Sequence, residues 1–275
     1  MQVTAHVHCV PVTTPTLFPA TTTNVFFVTD GMTAVLIDAG YEHEQVHQDV
    51  VTYWKQIGSP RVEAILLTHF HRDHTPGAKY FAKFFDCPIV AHPVEVPYVE
   101  EEISPARVTQ TLVEGDVWKI GEVELQVLHA PGHTHGCLNF WLPEDGVLFT
   151  ADNVVGLGTT WIGPPEGDLT AYLATLRRLK TFGAAWIAPG HGEMISDVEE
   201  KIDFFIGRRL EREEQVVRLL DEQARTVDEL VEAVYGDTVH PSVMWVAVRT
   251  IQGHVLKLAG DGRVKEVDGV YSLIG

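Results

Sequence analysis

Apolar and polar positions alternate along the chain in two different rhythms, and the change from one to the other falls near residue 197. Before it, short apolar runs bounded by Gly, Pro, Asn and Asp alternate with stretches of helical spacing. Residues 24–38 read as a hairpin turning on Asp30-Gly31, a pair suited to tight turns because both residues tolerate positive φ. Residues 42–57 have helical spacing, and apolar strands are predicted at 61–67, 89–91, 122–129, 138–142 and 147–150, with a helix at 169–181. The Pro/Thr-rich stretch 11–23 has no internal period and reads as a loop, either overhanging a groove or lying on the surface. After residue 197 a long helical segment runs through Phe204, Phe205, Ile206, Leu210 and Val217 towards Leu220. Thr226 then caps a second helix, 243–258 forms a third, and 260–274 alternates like a hairpin. No internal repeat or low-complexity tract interrupts this order.

The chemistry concentrates where strands end. Ala64 to Leu67 form an apolar run that stops at Thr68, and His69, His71, Asp73 and His74 follow before Thr75-Pro76-Gly77 opens a helix. Four metal-binding side chains within six residues would be costly to hold together without a cation. On an extended segment His69 and His71 point the same way, whereas Asp73 and His74 follow around the bend and face a second position, so the pattern implies two metals. Three further strands end in the same manner: one on His133 in Ala130-Pro131-Gly132-His133, one on Asp152 in Phe149-Thr150-Ala151-Asp152, one on His191 in Ala188-Pro189-Gly190-His191. Imidazole and carboxylate donors suit zinc, with iron and manganese as close competitors.

Composition narrows the setting. The 275 residues suffice for more than one domain, and no apolar run is long enough to span a bilayer. No basic segment followed by an apolar stretch opens the chain, which makes the cytoplasm the expected location. Cys9, Cys87 and Cys137 are odd in number and lack a Cys-x-x-Cys spacing, so free thiols are expected. A formal charge of −18 opposes long-range attraction to nucleic acid or an anionic membrane and favours a neutral or weakly charged substrate.

Taken in order, Asp38 in Leu36-Ile37-Asp38-Ala39-Gly40, the His69 to His74 cluster, His133, Asp152 and His191 resemble the motifs of the metallo-β-lactamase-fold hydrolases, in the branch of glyoxalase II and the lactamase-beta-2-like proteins. That resemblance implies an α+β fold: a four-layer αββα sandwich at residues 1–205, followed at 206–275 by a small winged-helix-like domain, which three helices and a hairpin match in order. It implies two divalent cations, with His69, His71 and His133 holding one, Asp73, His74 and His191 the other, and Asp152 bridging them. Asp38 would orient the cluster without touching metal, and Asp73 or Asp152 would carry a proton to the leaving group. The reaction implied is hydrolysis of a small acyl substrate, an ester, thioester or lactone, by water that the cations activate. No Gly-x-Ser-x-Gly segment offers a serine nucleophile instead. Two other activities occur in similar proteins: single-strand RNA cleavage, and a persulfide dioxygenase-like oxygenation at one iron.

Several residues are expected to stand aside. His129 and His135 flank His133 but lie outside the motif; His6, His8, His43, His47, His92, His240 and His254 receive no role. Cys137 is expected to be buried and inert, because the family takes Asp73 where antibiotic-degrading lactamases take cysteine. Trp161, Ile162 and Pro164 are candidates for a pocket wall. Residues 206–275 hold nine Lys/Arg and twelve Asp/Glu, a balance of 9 − 12 = −3, so packing is expected there, not DNA reading. Oligomeric state has no signature in the chain.

Overall fold

In a computed structural model, residues 1–15, 20–236 and 239–274 are described. They divide into two compact units: residues 1–130, 136–159 and 182–198 form the first, and residues 131–135, 160–181 and 199 onward the second.

The first unit is built on two sheets. One has the strand order β1 (Val7–Thr13), β2 (Thr22–Thr29), β3 (Thr33–Ile37), β4 (Arg61–Leu66), β5 (Ile89–Ala91), β6 (Val108–Thr111). The other runs β11 (Trp186–Pro189), β10 (Val147–Ala151), β9 (Leu138–Leu142), β8 (Val123–His129), β7 (Val117–Ile120). Inner-face residues of both, including Phe26, Val35, Leu66, Leu125, Phe140 and Phe149, meet in one apolar core. The opposite face of the six-stranded sheet supplies Phe27, Leu36, Ile65 and Leu67 to a second core, shared with Val46 and Val50 of α1 (Glu44–Gln56), Phe81 of α2 (Ala78–Phe85) and Val99 of α3 (Val96–Ile103). A sheet buried on both faces explains why β3 and β4 read as continuous apolar runs and not as alternations. Two strand pairs bring the motif residues together: β3 with β4, and β10 with β11, are parallel neighbours, so within each pair the C-terminal ends share an edge.

The stretch 11–23 corrects the loop reading. Residues 11–13 close β1 and residues 22 and 23 open β2, paired as Pro11↔Asn24, Val12↔Thr23 and Thr13↔Thr22. Threonine and valine are good strand formers, and Pro11 is tolerated because β1 is an edge strand. Residues 16–19 lie outside the described residues.

The second unit holds α4 (Leu169–Leu179), α5 (Val198–Glu222) from residue 199, α6 (Val227–Tyr235), α7 (Met244–Gly260) and the sheet β12 (Arg225–Thr226), β14 (Val270–Leu273), β13 (Val264–Val267) in that order. The predicted boundary between residues 205 and 206 falls inside α5. Asp168 caps α4 by accepting from Ala171 N at 2.8 Å. Thr226 and Glu229 form the reciprocal capping box at the start of α6. Asp268 and Gly269, at φ 51° and 79°, make the tight turn between β13 and β14. Val216, Leu220, Leu230, Ile251, Val255, Leu258 and Val264 form the core beneath.

Candidate metal centre

The chain leaves β3 at Asp38, and that residue adopts φ 59°, an uncommon conformation outside glycine that Asp tolerates better than most. The bend carries a 2 % exposed carboxylate back under the end of β4. There it accepts from Thr68 N at 2.9 Å, from Thr68 Oγ1 at 2.9 and 3.0 Å, and from His74 Nδ1 at 2.8 Å. Thr68 spends its one hydroxyl hydrogen on Asp38, so its oxygen accepts from His69 Nδ1 at 2.9 Å. One carboxylate therefore fixes two tautomers: His69 and His74 both carry their proton on Nδ1 and present Nε2 as a lone pair.

Beyond β4 the chain turns on itself, with His74 N and Thr75 N donating to the His71 carbonyl at 3.0 and 3.1 Å. His69 Nε2 and His71 Nδ1 come to face each other at 3.1 Å. The turn sends Asp73 and His74 elsewhere, as the spacing implied. Asp152 follows Ala151, at φ 46°, where a register shift interrupts the pairing of β10 with β11. His191 follows β11 and is fixed by Nδ1 donating to the Thr22 carbonyl at 2.7 Å. Gly190 stands between them because a Cβ there would lie 2.3 Å from Asp152 Oδ1 and 2.9 Å from His74 Cε1.

Two donor sets result. His69, His71 and Asp152 each offer an atom within 4.8 Å of the others, and so do Asp73, His74 and His191. Asp152 also reaches the second set, with its oxygens 3.4 Å from His74 Nε2 and 3.4 Å from His191 Nε2, while Asp73 Oδ2 lies 3.2 Å from His191 Nε2. His74 Nε2 and His191 Nε2 are 3.3 Å apart. Both rings spend Nδ1 as donor elsewhere, so their Nε2 atoms and two carboxylates converge on one point; such a point is stable only with positive charge at its centre, supplied by a cation or by protons on the rings.

The titration behaviour agrees. Burial lowers the affinity of His74 for a proton, yet Asp152, Asp73 and Asp38 lift it well above the ordinary imidazole range. His191 is likewise lowered by burial but raised by Asp152 and Asp73, to about 10. Burial raises Asp73 and Asp152, but His74 and His191 hold both below the usual carboxylate range. Hard carboxylate oxygens with borderline imidazole nitrogens, aimed inward at this spacing, fit divalent cations with bonds of about 2.0–2.2 Å.

His133 belongs to the second unit. Its Nδ1 donates to the Trp161 carbonyl at 3.0 Å, which leaves the lone pair of the neutral ring on Nε2. Neighbouring backbone is held by Asp168 N donating to Gly132 O at 2.9 Å and Thr175 Oγ1 to Pro131 O at 2.7 Å. His135 is exposed and its Nε2 bonds the Pro165 carbonyl at 2.9 Å, and His129 stacks on His92 with centroids 4.4 Å apart. Neither belongs to a donor set. Cys137 is buried, with its thiol pushed well up by burial, and the three cysteines are free. Trp161 packs edge-on against Trp245 at 5.4 Å, and Ile162 is 2 % exposed. Sequence reasoning passed over Glu95, a 2 % exposed carboxylate on the loop into α3; nothing in its neighbours, Val94 and Val96, sets it apart from a surface glutamate.

Comparison with known proteins agrees with this geometry. The sequence matches the Metallo-beta-lactamase superfamily over residues 19–191 and the Beta-lactamase associated winged helix domain over residues 226–271. It is 30% identical over 262 residues to the atrochrysone carboxyl ACP thioesterase nsrC of Aspergillus novofumigatus (strain IBT 16806), covering 91% of this chain and 77% of that protein. A beta-lactamase domain protein from Burkholderia ambifaria superposes with TM-score 0.88 at 20% identity, covering 100% of this chain and 93% of its own. TTHA1623, solved in a di-iron-bound form, superposes with TM-score 0.58 at 29% identity over 70% of this chain and 97% of its own. The chain belongs to the metallo-β-lactamase superfamily. It is an enzyme of the hydrolase class with the αββα fold and a C-terminal winged helix.

Proposed function

We propose that the chain hydrolyses acyl thioesters with water at a pair of divalent cations. The observation that carries this reading is the convergence of His74 Nε2, His191 Nε2, Asp73 and Asp152 on one point beside the facing nitrogens of His69 and His71. We assign His69, His71 and His133 to one cation and Asp73, His74 and His191 to the other, with Asp152 shared; His133 enters through its place in the motif. Bound there, the cations supply Lewis acidity towards the acyl oxygen and lower the pKa of water towards neutrality. Asp38 holds His69 and His74 in the tautomers that leave Nε2 available. We assign to Asp73 or Asp152 the role of accepting the proton that water gives up and returning it to the departing sulfur. Water adds to the acyl carbon, the C–S bond breaks, and a carboxylic acid and a thiol leave.

The thioester is chosen over other acyl bonds because a relative covering 91% of the chain is named a carboxyl ACP thioesterase. TTHA1623 supports two metals and puts iron beside zinc as occupant, with manganese third. Free cysteines support a cytoplasmic location. No helix among the described residues is long and apolar enough to cross a membrane. We further assign residues 1–205 to the catalytic domain and 206–275 to a winged-helix domain that packs and does not read DNA.

A panel of acyl thioesters on a short pantetheine-like thiol, on coenzyme A and on an acyl carrier protein, beside esters, lactones and phosphodiesters, tests the choice. Cleavage of a thioester, with free thiol released, supports it. Turnover confined to phosphodiesters or RNA would overturn it.

A further inference from the structure

We propose that Glu95 is a positioning residue for the cation set containing His69 and His71. The proposal rests on the metal-pair reading above. Glu95 stands at the N-terminal end of α3, where an acidic side chain ordinarily caps the helix's own N–H groups. It makes no such bond. Its carboxylate turns away from the helix and is 2 % exposed. Oε2 accepts from Phe70 N at 2.9 Å and Oε1 accepts from Gly136 N at 2.8 Å.

Both partners are informative. Phe70 N lies in the peptide joining His69 to His71, so the bond fixes the backbone between two donors that must share a centre. Gly136 N lies three residues beyond His133, where the chain rejoins the first unit and enters β9. A single buried anion thus ties the loop after β4 to the loop before β9. Neither loop has a sheet partner at these atoms, and each bond is charge-assisted. The chain makes room for the carboxylate: a Cβ at Gly136 would lie 2.7 Å from Glu95 Oε1 and 2.9 Å from His92 Nδ1. From the other side, Thr75 Oγ1 donates to the His69 carbonyl at 2.8 Å.

The bond to Phe70 N fixes the backbone between two donors of the same set, which gives the proposal a signature. A residue that supported the fold in general would affect both cations alike. One that fixes the His69–His71 peptide affects one.

The test is a cobalt(II) titration of the metal-free chain, followed by visible absorption, on wild type, Glu95→Gln, Gly136→Ala and the exposed control Glu101→Gln. Each protein is first shown to melt cooperatively above the titration temperature. Glutamine keeps the size but places an N–H₂ against one of the two backbone donors. Wild type and Glu101→Gln should show two binding steps. Glu95→Gln should weaken one step by about tenfold or more, the range for partners that orient ligands, and leave the other unchanged. Gly136→Ala, which displaces the carboxylate without removing it, should weaken the same step, and it decides the matter if Glu95→Gln does not fold. Two unchanged steps, or two weakened equally, would overturn the role of Glu95 and leave the metal pair standing. A wild type with fewer than two steps would instead overturn the metal-pair reading, and this proposal with it.

Discussion

Asp38 Oδ2 lies 2.8 Å from His74 Nδ1, and through Thr68 the same carboxylate also orders the ring of His69. A residue that touches no donor atom therefore sets the lone pairs of one histidine in each cation set. Removing it should weaken both sets without deleting a ligand, whereas Asp152 is the residue we assign to both. Asp38→Ala should retain part of its metal at affinity roughly 10–100-fold lower, and Asp152→Ala should retain less. Elemental analysis after gel filtration under non-chelating conditions measures this; equal or reversed losses would show that Asp152 is not shared.

The loop carrying His133 offers a sharper contrast over two residues. His133 Nδ1 is spent on the Trp161 carbonyl so that Nε2 faces elsewhere, while His135 is exposed and bonded to the Pro165 carbonyl. His133→Ala should lose one cation and nearly all turnover. His135→Ala should keep both cations and most activity. The opposite pattern in metal content would move the register of this motif.

His254 predicts how stability depends on pH. It is fully buried in α7, where burial first, and then Arg209 and Arg212 of α5 and Lys257 of α7, push its pKa down to about 3. The unfolded chain binds this proton near 6.5, so it is protonated first as pH falls. The contribution is complete above that value and is lost progressively towards 3, reaching about 2 kcal/mol by pH 5. Urea unfolding at pH 7 and pH 5 should show His254→Leu losing less stability than wild type over that interval. An equal loss in both proteins would mean that His254 is not neutral in the fold.

Much of this architecture is legible in the residue order, for physical reasons that differ by element. β4, β5, β9 and β10 are short apolar runs closed by turn residues, and α1 and α4 carry a buried stripe. The capping box at Thr226 is written in four residues. β6 was not legible, because Val108-Thr109-Gln110-Thr111 is mostly exposed and gains strand form by pairing with β5. β7, at Val117–Ile120, is a similar case: it borders the other sheet with one fully buried residue. At the site, every residue of the two donor sets stands in a recognisable motif, since metal ligands come from few side-chain types, here His and Asp. Glu95 escaped because holding backbone N–H groups demands only a buried carboxylate, which an isolated glutamate does not announce.

The winged helix has a measurable consequence of its own. With −3 net charge over residues 206–275, it lacks the excess of cations that phosphate contacts require. Fluorescence anisotropy with duplex DNA near physiological salt should show no salt-sensitive binding. A submicromolar affinity that falls steeply with added salt would contradict the packing role assigned here.

The central claim, thioester hydrolysis at two cations, is tested most directly by following metal content and thiol release on the same sample. The purified chain should hold two divalent ions and release thiol from an acyl thioester. Dialysis against a chelator should remove both ions and the activity together, and readdition of zinc, iron or manganese should restore activity as the second equivalent binds. Full thioester turnover by metal-free protein, or activity that saturates at one equivalent, would contradict the account.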